Sequence, residues 1–391
     1  MADTIDQVFV TLKHTGVGVF PGSVQPYASA LVSIVALLVT FALLFGLVTV
    51  IERKTIGRMQ NRYGPNRVGP FGFLQFAADG IKALTKEDIV PRAADRVVHL
   101  LAPIVLLFCV LMTFGVLPVG RNMVLLDLDA GLLYFLAVGA ATELAVFMAG
   151  WSSRNKYSLL GALRAIAQML SYEVPLLLAV LPPVMIAGSL SLVQIVEGQS
   201  GFNGWLPHWH VFTPWGFAGL GLFLVAAHAE VNRSPFDIPE GESEIVAGYF
   251  VEYSGFKFAL FFMAEYLGLL AMAGLAVTLF LGGWTAPLPW LSWVPSWAWF
   301  FAKLMTLVLL FIWVRGTMPR LRMDQLMNFA WKFLVPMALI NLVAAGFWRF
   351  LPTGPLRWLV CLALIAGPYV LLSRALVPGG KRPKRVYRYA D

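Results

Sequence analysis

The sequence of 391 residues has few charged residues and few cysteines. Only 13% of its residues are Asp, Glu, Lys or Arg, whereas a soluble domain carries about 25%, so most of the surface is not expected to face water. The two cysteines, Cys109 and Cys361, both lie in apolar runs, and no CxxC motif or Cys/His cluster accompanies them. The sequence therefore supports neither a disulfide framework nor a zinc or iron–sulfur site, and we predict no metal ligands.

The sequence motifs of nucleotide-binding and hydrolytic enzymes are also missing. There is no glycine-rich dinucleotide fingerprint after a strand, no P-loop, no GxSxG and no HExxH. We therefore predict no catalytic residue and no covalently bound cofactor in this chain. If the chain serves an oxidoreductase, its electrons pass through a partner.

Long apolar runs fill most of the sequence. Of all residues, 59% are hydrophobic and the mean hydropathy is +0.75. Runs of about 17–25 apolar residues are long enough to cross a membrane, and the spans must be helices because lipid offers the backbone no hydrogen-bond partner. The predicted fold class is all-α, one membrane domain over 1–391 with about nine transmembrane helices and one amphipathic interfacial helix. The predicted spans are 28–50, 97–118, 131–150, 165–187, 215–230, 256–281, 299–315, 332–350 and 357–374.

The formal net charge of +8 is distributed as expected for a membrane protein. Lysine and arginine concentrate in alternate loops, which is the positive-inside pattern. This pattern predicts a cytoplasmic C-terminus and an external N-terminus, and it explains the charge without nucleic acid as a partner. The cation-rich segments are 52–96, 151–164, 228–257, 315–332 and 374–391. The other loops hold only Lys13, Arg121, Arg349 and Arg357.

The cytoplasmic loop predicted at 52–96 contains a short amphipathic segment, FGFLQFAADGIKALTKED. Phe73, Phe76 and Ile81 fall on one helical face, and Asp79 and Lys82 fall on the other. This pattern predicts a helix lying in the membrane interface. Packing of the same apolar face against the protein's own spans is the alternative, and the two can hold together.

Acidic residues stand inside the predicted spans, where an unpaired charge is costly. Glu143, Glu173 and Glu265 lie within apolar runs, and Glu230 ends the fifth span. Neither Glu143 nor Glu265 has a Lys or Arg within one helical turn. Two interpretations stay open: ion pairs with cations of other spans, or a hydrated file of protonatable groups. We favour the second, because burial and like-charge crowding both favour the protonated carboxyl and so suit a proton relay.

A further acidic run follows the fifth span, in the cytoplasmic loop predicted at 228–257. The segment PEGESEIVAG places Glu240, Glu242 and Glu244 within five residues, and Glu252 follows. Such a run is usually a solvated acidic loop. Its place between spans that end in acids makes a functional role equally plausible as an interpretation.

Three long segments resemble one family. They are ERKTIGRMQNRYGPNRVGPFGFLQFAADGIKALTKE from Glu52, AEVNRSPFDIPEGESEIVAGYFVEYSG from Ala229, and RGTMPRLRMDQLMNFAWKFLVP from Arg315. With GALRAIAQMLSYE from Gly161, they follow in the order seen in the respiratory complex I membrane subunits that border the quinone cavity. One departure is Met323, where the family usually has Tyr.

The resemblance implies a role in NADH:quinone oxidoreductase. In that family the first and sixth spans and the interfacial helix form a slanted entry for the quinone tail. The quinone headgroup is reduced in neighbouring soluble subunits, which carry NADH, FMN and iron–sulfur clusters. The implied partners are those soluble subunits of the peripheral arm, small and antiporter-like membrane subunits, and lipids of the bacterial inner membrane. The basic tail, 375–391, and the other cytoplasmic segments would form the docking surface.

The resemblance also implies site residues. Those matching the family's quinone cavity or tunnel are Glu52, Arg53, Lys54, Asp79, Lys82, Arg233, Asp237, Arg315, Arg320 and Arg322. Those matching its proton relay or coupling loop are Glu143, Glu173, Glu230, Glu240, Glu242, Glu244, Glu252 and Glu265. In this interpretation, quinone reduction creates a charge imbalance that the acidic loop and the buried glutamates transmit electrostatically.

Three alternatives share parts of this pattern. The homologous membrane subunit of a membrane-bound hydrogenase has the same fold but needs no quinone. A secondary ion transporter would use the midplane acids for its solute, and Pro182 with Pro183 could break a helix, as in many transporters. A purely structural scaffold is the third alternative.

Overall fold

The computed structural model describes residues 6–238 and 247–376, and it is almost entirely helical. A single two-residue antiparallel pair, β1 (Phe202–Asn203) and β2 (Leu206–Pro207), is the strand structure of the described residues. The helices are, in chain order, α1 (Val8–Val17), α2 (Gln25–Met59), α3 (Gln75–Thr85), α4 (Arg96–Thr113), α5 (Gly131–Ser152), α6 (Lys156–Ala187), α7 (Leu192–Gly198), α8 (Pro214–Glu230), α9 (Gly255–Phe280), α10 (Ser296–Thr317), α11 (Met323–Phe329), α12 (Val335–Phe350) and α13 (Pro355–Leu376).

The predicted all-α membrane fold is confirmed. Among the described residues, eight helical segments are long and apolar enough to cross a membrane: α2, α4, α5, α6, α9, α10, α13, and the segment Met323–Phe350 that joins α11 to α12 through a π-helical turn. The fifth predicted span corresponds to α8, which has 17 residues. Each predicted span therefore coincides with a helix. The three prolines within α6, including the predicted breaker pair, leave that helix continuous.

Two helices extend well beyond their predicted spans. Helix α2 continues to Met59, so Glu52, Arg53 and Lys54 lie on its last turns and not in a loop. Helix α6 begins at Lys156, where the side chain of Asn155 caps it by accepting from the amide of Tyr157. Hydropathy marks only the apolar part of a helix, whereas the backbone hydrogen bonds continue into polar sequence wherever the residues favour helix.

Helix α9 is the centre of the bundle. It is the most buried of the membrane-spanning helices, with 72% of its apolar window inside the chain. It packs against α2, α4, α8 and α10. Helix α13 lies at the edge, with only 6% of its window buried. Glutamates on α9 and its neighbours are therefore held in the interior, while α13 presents most of its surface outward.

Helix α3 confirms the helix that the amphipathic pattern predicted after α2. It packs against α2 and α9, and the ring of Phe76 lies so close to Gly46 that a β-carbon there would stand 2.7 Å from it. Glycine at this position is what lets α3 approach α2. Ile81 and Leu84 are 63% and 65% exposed. The apolar side of α3 thus contacts the protein's own spans and also leaves apolar surface uncovered.

A buried lysine fixes the loop after α9, at the end of the bundle remote from α3. Lys303 Nζ donates to the carbonyl oxygens of Leu281, Gly283 and Thr285 at 2.7, 2.9 and 2.7 Å. Its ammonium group also lies 3.9 Å from the ring centroid of Trp209. All three N–H groups are therefore used, and the positive charge lies where the helix dipole of α9 is negative.

The last carbonyls of α9 find further donors beside this lysine. Gln199 Nε2 donates to Thr278 O at 2.9 Å, and His210 Nδ1 lies 2.8 Å from Leu279 O. Burial lowers the pKa of His210 to about 4, so the ring is neutral at pH 7 and its Nδ1 must carry the proton that it donates. These contacts provide protein donors for the last carbonyl groups of the central helix.

Replacing Lys303 by Met should destabilise the protein, because three buried carbonyl groups lose their donor at once. Each unsatisfied group costs about 1–3 kcal/mol, so we expect a loss of about 3 kcal/mol or more and a thermal midpoint lower by several degrees. The measurement is thermal unfolding of the purified chain in detergent. Lys332→Met, at an exposed position on the π-helical turn, is the matched control. Equal thermal midpoints for the two variants would show that the hydrogen bonds of Lys303 do not stabilise the fold.

Candidate functional site

Arg233 lies at the centre of a buried charge cluster. Its Nε donates to Glu265 Oε1 at 2.8 Å, and its Nη1 donates to Glu52 Oε2 at 2.9 Å. The side chain is 1% exposed, and Glu52 is 3% exposed. The cluster therefore joins the end of α2, the turn after α8 and the middle of α9.

Arg315 on α10 completes the cluster by donating to the second carboxylate oxygen of Glu52. Tyr266, next to Glu265 on α9, places its ring 4.1 Å from the guanidinium carbon of Arg233. Two guanidinium groups thus face two carboxylates, and the formal charges balance. Burial alone would lower the pKa of Arg233, but the carboxylates of Glu265 and Glu52 outweigh it and raise that pKa, so Arg233 stays charged.

The turn that carries Arg233 is held by α6. Gln168, which is buried on α6, directs its Nε2 to Ala229 O at 2.8 Å and to Phe236 O at 2.6 Å. The same atom lies 3.1 Å from Asn232 Oδ1, and Asn232 adopts a left-handed φ of 53°, which asparagine tolerates better than most residues. Local turn chemistry and one buried amide therefore aim Arg233 inward.

Three further acids of the predicted relay have no cationic partner in the described part of the chain. Glu143 on α5, Glu173 on α6 and Glu230 at the end of α8 form no ion pair with any described residue. Buried oxygens of Glu143 and Glu230 also lack a hydrogen-bond partner there. The three carboxyls are close enough to interact electrostatically with one another. A protonated carboxyl or bound water is the physical way to keep such a group inside an apolar bundle.

A cavity lies between the paired Glu265 and the unpaired Glu230. It lies between α4, α5, α6 and α9, has a volume of about 90 Å³ and is open to the outside of the chain. Its walls are mostly apolar, for example Phe135 and Met272, and its polar lining includes Glu230, Glu265 and Asn232. Glu265, which is bound to Arg233, therefore borders the same space as the uncompensated Glu230.

The predicted cavity-rim residues form a second, more exposed group of contacts. Arg53 on α2 pairs with Asp79 on α3, with side chains 49% and 38% exposed. Lys54 donates to Phe71 O and lies 4.7 Å from the ring centroid of Phe73. These contacts tie the interfacial helix to the end of α2. Lys82 is exposed on α3 and has no ion pair among the described residues.

The cationic motif after α10 is divided between buried and exposed pairs. Arg320 Nη2 donates to Asp237 Oδ2 at 2.6 Å, which links this motif to the Arg233 turn. Arg322 contacts Asp324 at 3.4 Å, and both side chains are mostly exposed. Of the predicted coupling loop, Glu252 accepts from Asn155 Nδ2 at 2.7 Å. Glu240, Glu242 and Glu244 lie outside the described residues.

Some residues of the site were not predicted from the sequence. Tyr266 and Gln168 stand next to or across from predicted residues and hold the charge cluster in place. Gln168 carries a usable signal, since a polar side chain in an apolar span needs a partner just as an acid does. Tyr266 carries no such signal, because tyrosine is common in apolar helices.

Comparison with known proteins gives one consistent result. The sequence model of the NADH dehydrogenase family matches residues 32–346. The H subunit of NADH-quinone oxidoreductase from Dehalococcoides mccartyi strain CBDB1 is 48% identical over 357 residues, which is 88% of this chain and 97% of that protein. The proteins of the same name from Brevibacillus brevis and Polaromonas naphthalenivorans are 48% and 41% identical, over 81% and 89% of this chain and 90% and 98% of theirs.

Replacing Arg233 by Gln should destabilise the chain strongly, because Glu52 and Glu265 would keep buried charges without their shared cation. Removing one partner of a buried ion pair costs about 3–5 kcal/mol. The measurement is the thermal midpoint of the purified chain. Asp324→Asn, which breaks the exposed pair with Arg322, is the matched control, with an expected loss of no more than about 1 kcal/mol. A midpoint for Arg233→Gln that equals the control would contradict the central role of Arg233.

Proposed function

Because the chain belongs to the NADH dehydrogenase family and is close in sequence to the H subunits of NADH-quinone oxidoreductases, we propose that it couples quinone reduction to proton translocation through buried glutamates. In this proposal the chain also forms the access tunnel for quinone. It contributes no redox centre. The electrons come from NADH through FMN and iron–sulfur clusters held by partner subunits. The names of the relatives favour this function over a role in a hydrogenase or a secondary transporter.

The single observation that carries the proposal is the cavity shared by Glu265 and Glu230. Glu265 is held by Arg233, whereas Glu230, Glu143 and Glu173 have no compensating cation among the described residues. A change in charge at the paired end is therefore not absorbed by fixed ion pairs further along. It must be met by proton movement among the unpaired carboxyls or through the cavity.

The coupling force in this proposal is electrostatic. Two unit charges 4 Å apart interact by about 4 kcal/mol at an effective dielectric constant of 20. Reduction of quinone beside the rim adds negative charge near Arg53 and Arg315, and so weakens the hold of Arg315 on Glu52. Arg233 would then shift between Glu52 and Glu265, and the carboxyl released would take a proton from the cavity.

The access route proposed for quinone lies where α2, α3 and α9 meet. The exposed apolar residues Ile81 and Leu84 on α3 suit contact with an isoprenoid tail, and Phe45 on α2 packs edge-to-face on Tyr266 with ring centroids 5.7 Å apart. The pair Arg53–Asp79 stands at the polar end of the same junction. Quinone is a substrate in this proposal and not a bound cofactor.

The chain lies in a membrane, among other subunits. As a member of this family the chain is a multi-pass membrane protein and belongs to a larger complex. We place it in the bacterial inner membrane with the C-terminus in the cytoplasm, as the distribution of lysine and arginine suggests. The partners proposed are the soluble quinone-site subunits, docked on the cation-rich end, and small and antiporter-like membrane subunits beside the bundle.

Glu143→Gln tests the relay. The variant should assemble and keep NADH oxidation by an artificial acceptor, while quinone-dependent turnover and proton uptake into proteoliposomes fall about tenfold or more, because the amide cannot exchange a proton. Glu197→Gln, at an exposed position on α7, is the matched control and should pump normally. Full pumping by the Glu143 variant would remove this residue from the relay.

Arg53→Ala tests the tunnel rim. Loss of its pair with Asp79 should loosen α3 against α2 and raise the quinone concentration for half-maximal rate by about fivefold, since an exposed pair contributes up to about 1 kcal/mol. Inhibitor binding at the quinone site should weaken in parallel, whereas electron entry from NADH stays unchanged. Arg92→Ala, an exposed cation in the same predicted loop, serves as the control. If both variants have wild-type quinone kinetics, Arg53 has no rim role.

A further inference from the structure

The turn between α12 and α13 is flanked by two arginines. It lies at the end of the bundle that has few cations. This end is opposite the Arg233 cluster, because α10 ends beside that cluster and α12 returns from it. The loops assigned to this end from the sequence contain four cations, namely Lys13, Arg121, Arg349 and Arg357. Two of the four flank the single short turn 351–354.

Arg357 is held on an aromatic platform. Its guanidinium carbon lies 3.6 Å from the ring centroid of Trp348. Trp358 packs edge-on against the same ring, with centroids 5.2 Å apart and an interplanar angle of 80°. Stacking of this kind removes water from one face of the guanidinium group while leaving its N–H edge free to bind an anion.

The N–H edge of Arg357 has no acceptor within the part of the chain that is described. Its Nε is buried and makes no hydrogen bond. Neither Arg357 nor the exposed Arg349 forms an ion pair with a described carboxylate. A guanidinium group that is desolvated at Nε and on one face is costly, and an anionic ligand that accepts from its Nη groups would offset that cost.

The surroundings of the two arginines are apolar and uncovered. Phe350 is 89% exposed, Leu356 is 57% exposed and Leu359 is 65% exposed. Helix α13 buries only 6% of its apolar window, so the described chain leaves this apolar surface uncovered and suited to contact with hydrocarbon. Tryptophan pairs are typical of the boundary between hydrocarbon and headgroups. A ligand here must therefore combine a negative charge with apolar chains.

We propose that the α12–α13 turn binds the phosphate group of an anionic phospholipid, in the leaflet opposite the Arg233 cluster. Arg357 and Arg349 supply the charge, Trp348 and Trp358 set the depth of the headgroup, and the acyl chains lie along α13. The guanidinium group of an arginine can donate to two phosphate oxygens at once. A second arginine favours a headgroup with net negative charge. The site is independent of the quinone chemistry proposed above.

The test uses the purified intact complex, in detergent, with nitroxide-labelled phosphatidylglycerol and nitroxide-labelled phosphatidylcholine as probes. The wild type should hold phosphatidylglycerol in a motionally restricted fraction that Arg357→Gln reduces about fivefold and Arg349→Gln/Arg357→Gln reduces further, since one cation near a lipid surface contributes about that factor. Arg357→Lys should retain part of the binding. Lys13→Gln, on α1 at the same end of the bundle, should retain all of it.

The other outcomes overturn the proposal. Equal retention by the double variant and by Lys13→Gln would show that the arginines bind no phospholipid. Equal binding of phosphatidylcholine, whose phosphate is offset by its choline cation, and of phosphatidylglycerol would show that net headgroup charge does not select the lipid, and would overturn the assignment to an anionic phospholipid. Displacement of the labelled lipid by millimolar inorganic phosphate would identify a site for free phosphate. Because Arg349 is exposed, Arg349→Gln alone tests the charge even if Arg357→Gln fails to assemble.

Discussion

A guanidinium group held inside an apolar bundle must be neutralised where it stands, and this requirement organises one end of the protein. Arg233 meets it by binding Glu52 and Glu265, which lie far apart in the chain but only one side chain apart in space. Helices α2 and α9 are thereby fixed to the turn after α8, and Arg315 extends the same network to α10. The position of the interfacial helix follows, because α3 packs on α2 and α9.

The charge cluster around Arg233 is electrically balanced, whereas the neighbouring acids Glu143, Glu173 and Glu230 are not paired with described cations. Where cations and carboxylates are equal in number, the net local charge is zero, and no proton needs to bind or leave to neutralise it. Glu143, Glu173 and Glu230 lack such cations among the described residues. Glu230 lines the same cavity as Glu265, and the carboxyls of Glu143 and Glu173 interact electrostatically with that of Glu230. A change in charge at the Arg233 cluster can therefore be met by proton uptake or release at the unpaired carboxyls beside it. The proposed coupling rests on the ion pairs of Arg233 lying next to glutamates that have no cation among the described residues.

The opposite end of the bundle solves the same problem with different groups. The ammonium group of Lys303 is stabilised by three backbone carbonyls and an aromatic ring, with no carboxylate partner among the described residues. Arg357 has the aromatic ring but no acceptor for its Nε among the described residues. The first arrangement is complete within the chain and therefore structural. The second is incomplete, and the lipid supplies what is missing.

The sequence by itself determined the membrane fold, the positions of the spans and the acids inside them, because the cost of polar groups in lipid acts on every span separately and is visible in composition. Glu52, Arg233 and Arg315 were predicted as site residues only from the resemblance to the family. The sequence could not determine the partners of those charges. Glu265 has no cation within a turn of its own helix, and the relay and ion-pair interpretations could not be separated there. Only the tertiary structure decided that Glu265 is paired while Glu143 and Glu230 have no such partner among the described residues, since pairing depends on distances between segments far apart in the chain.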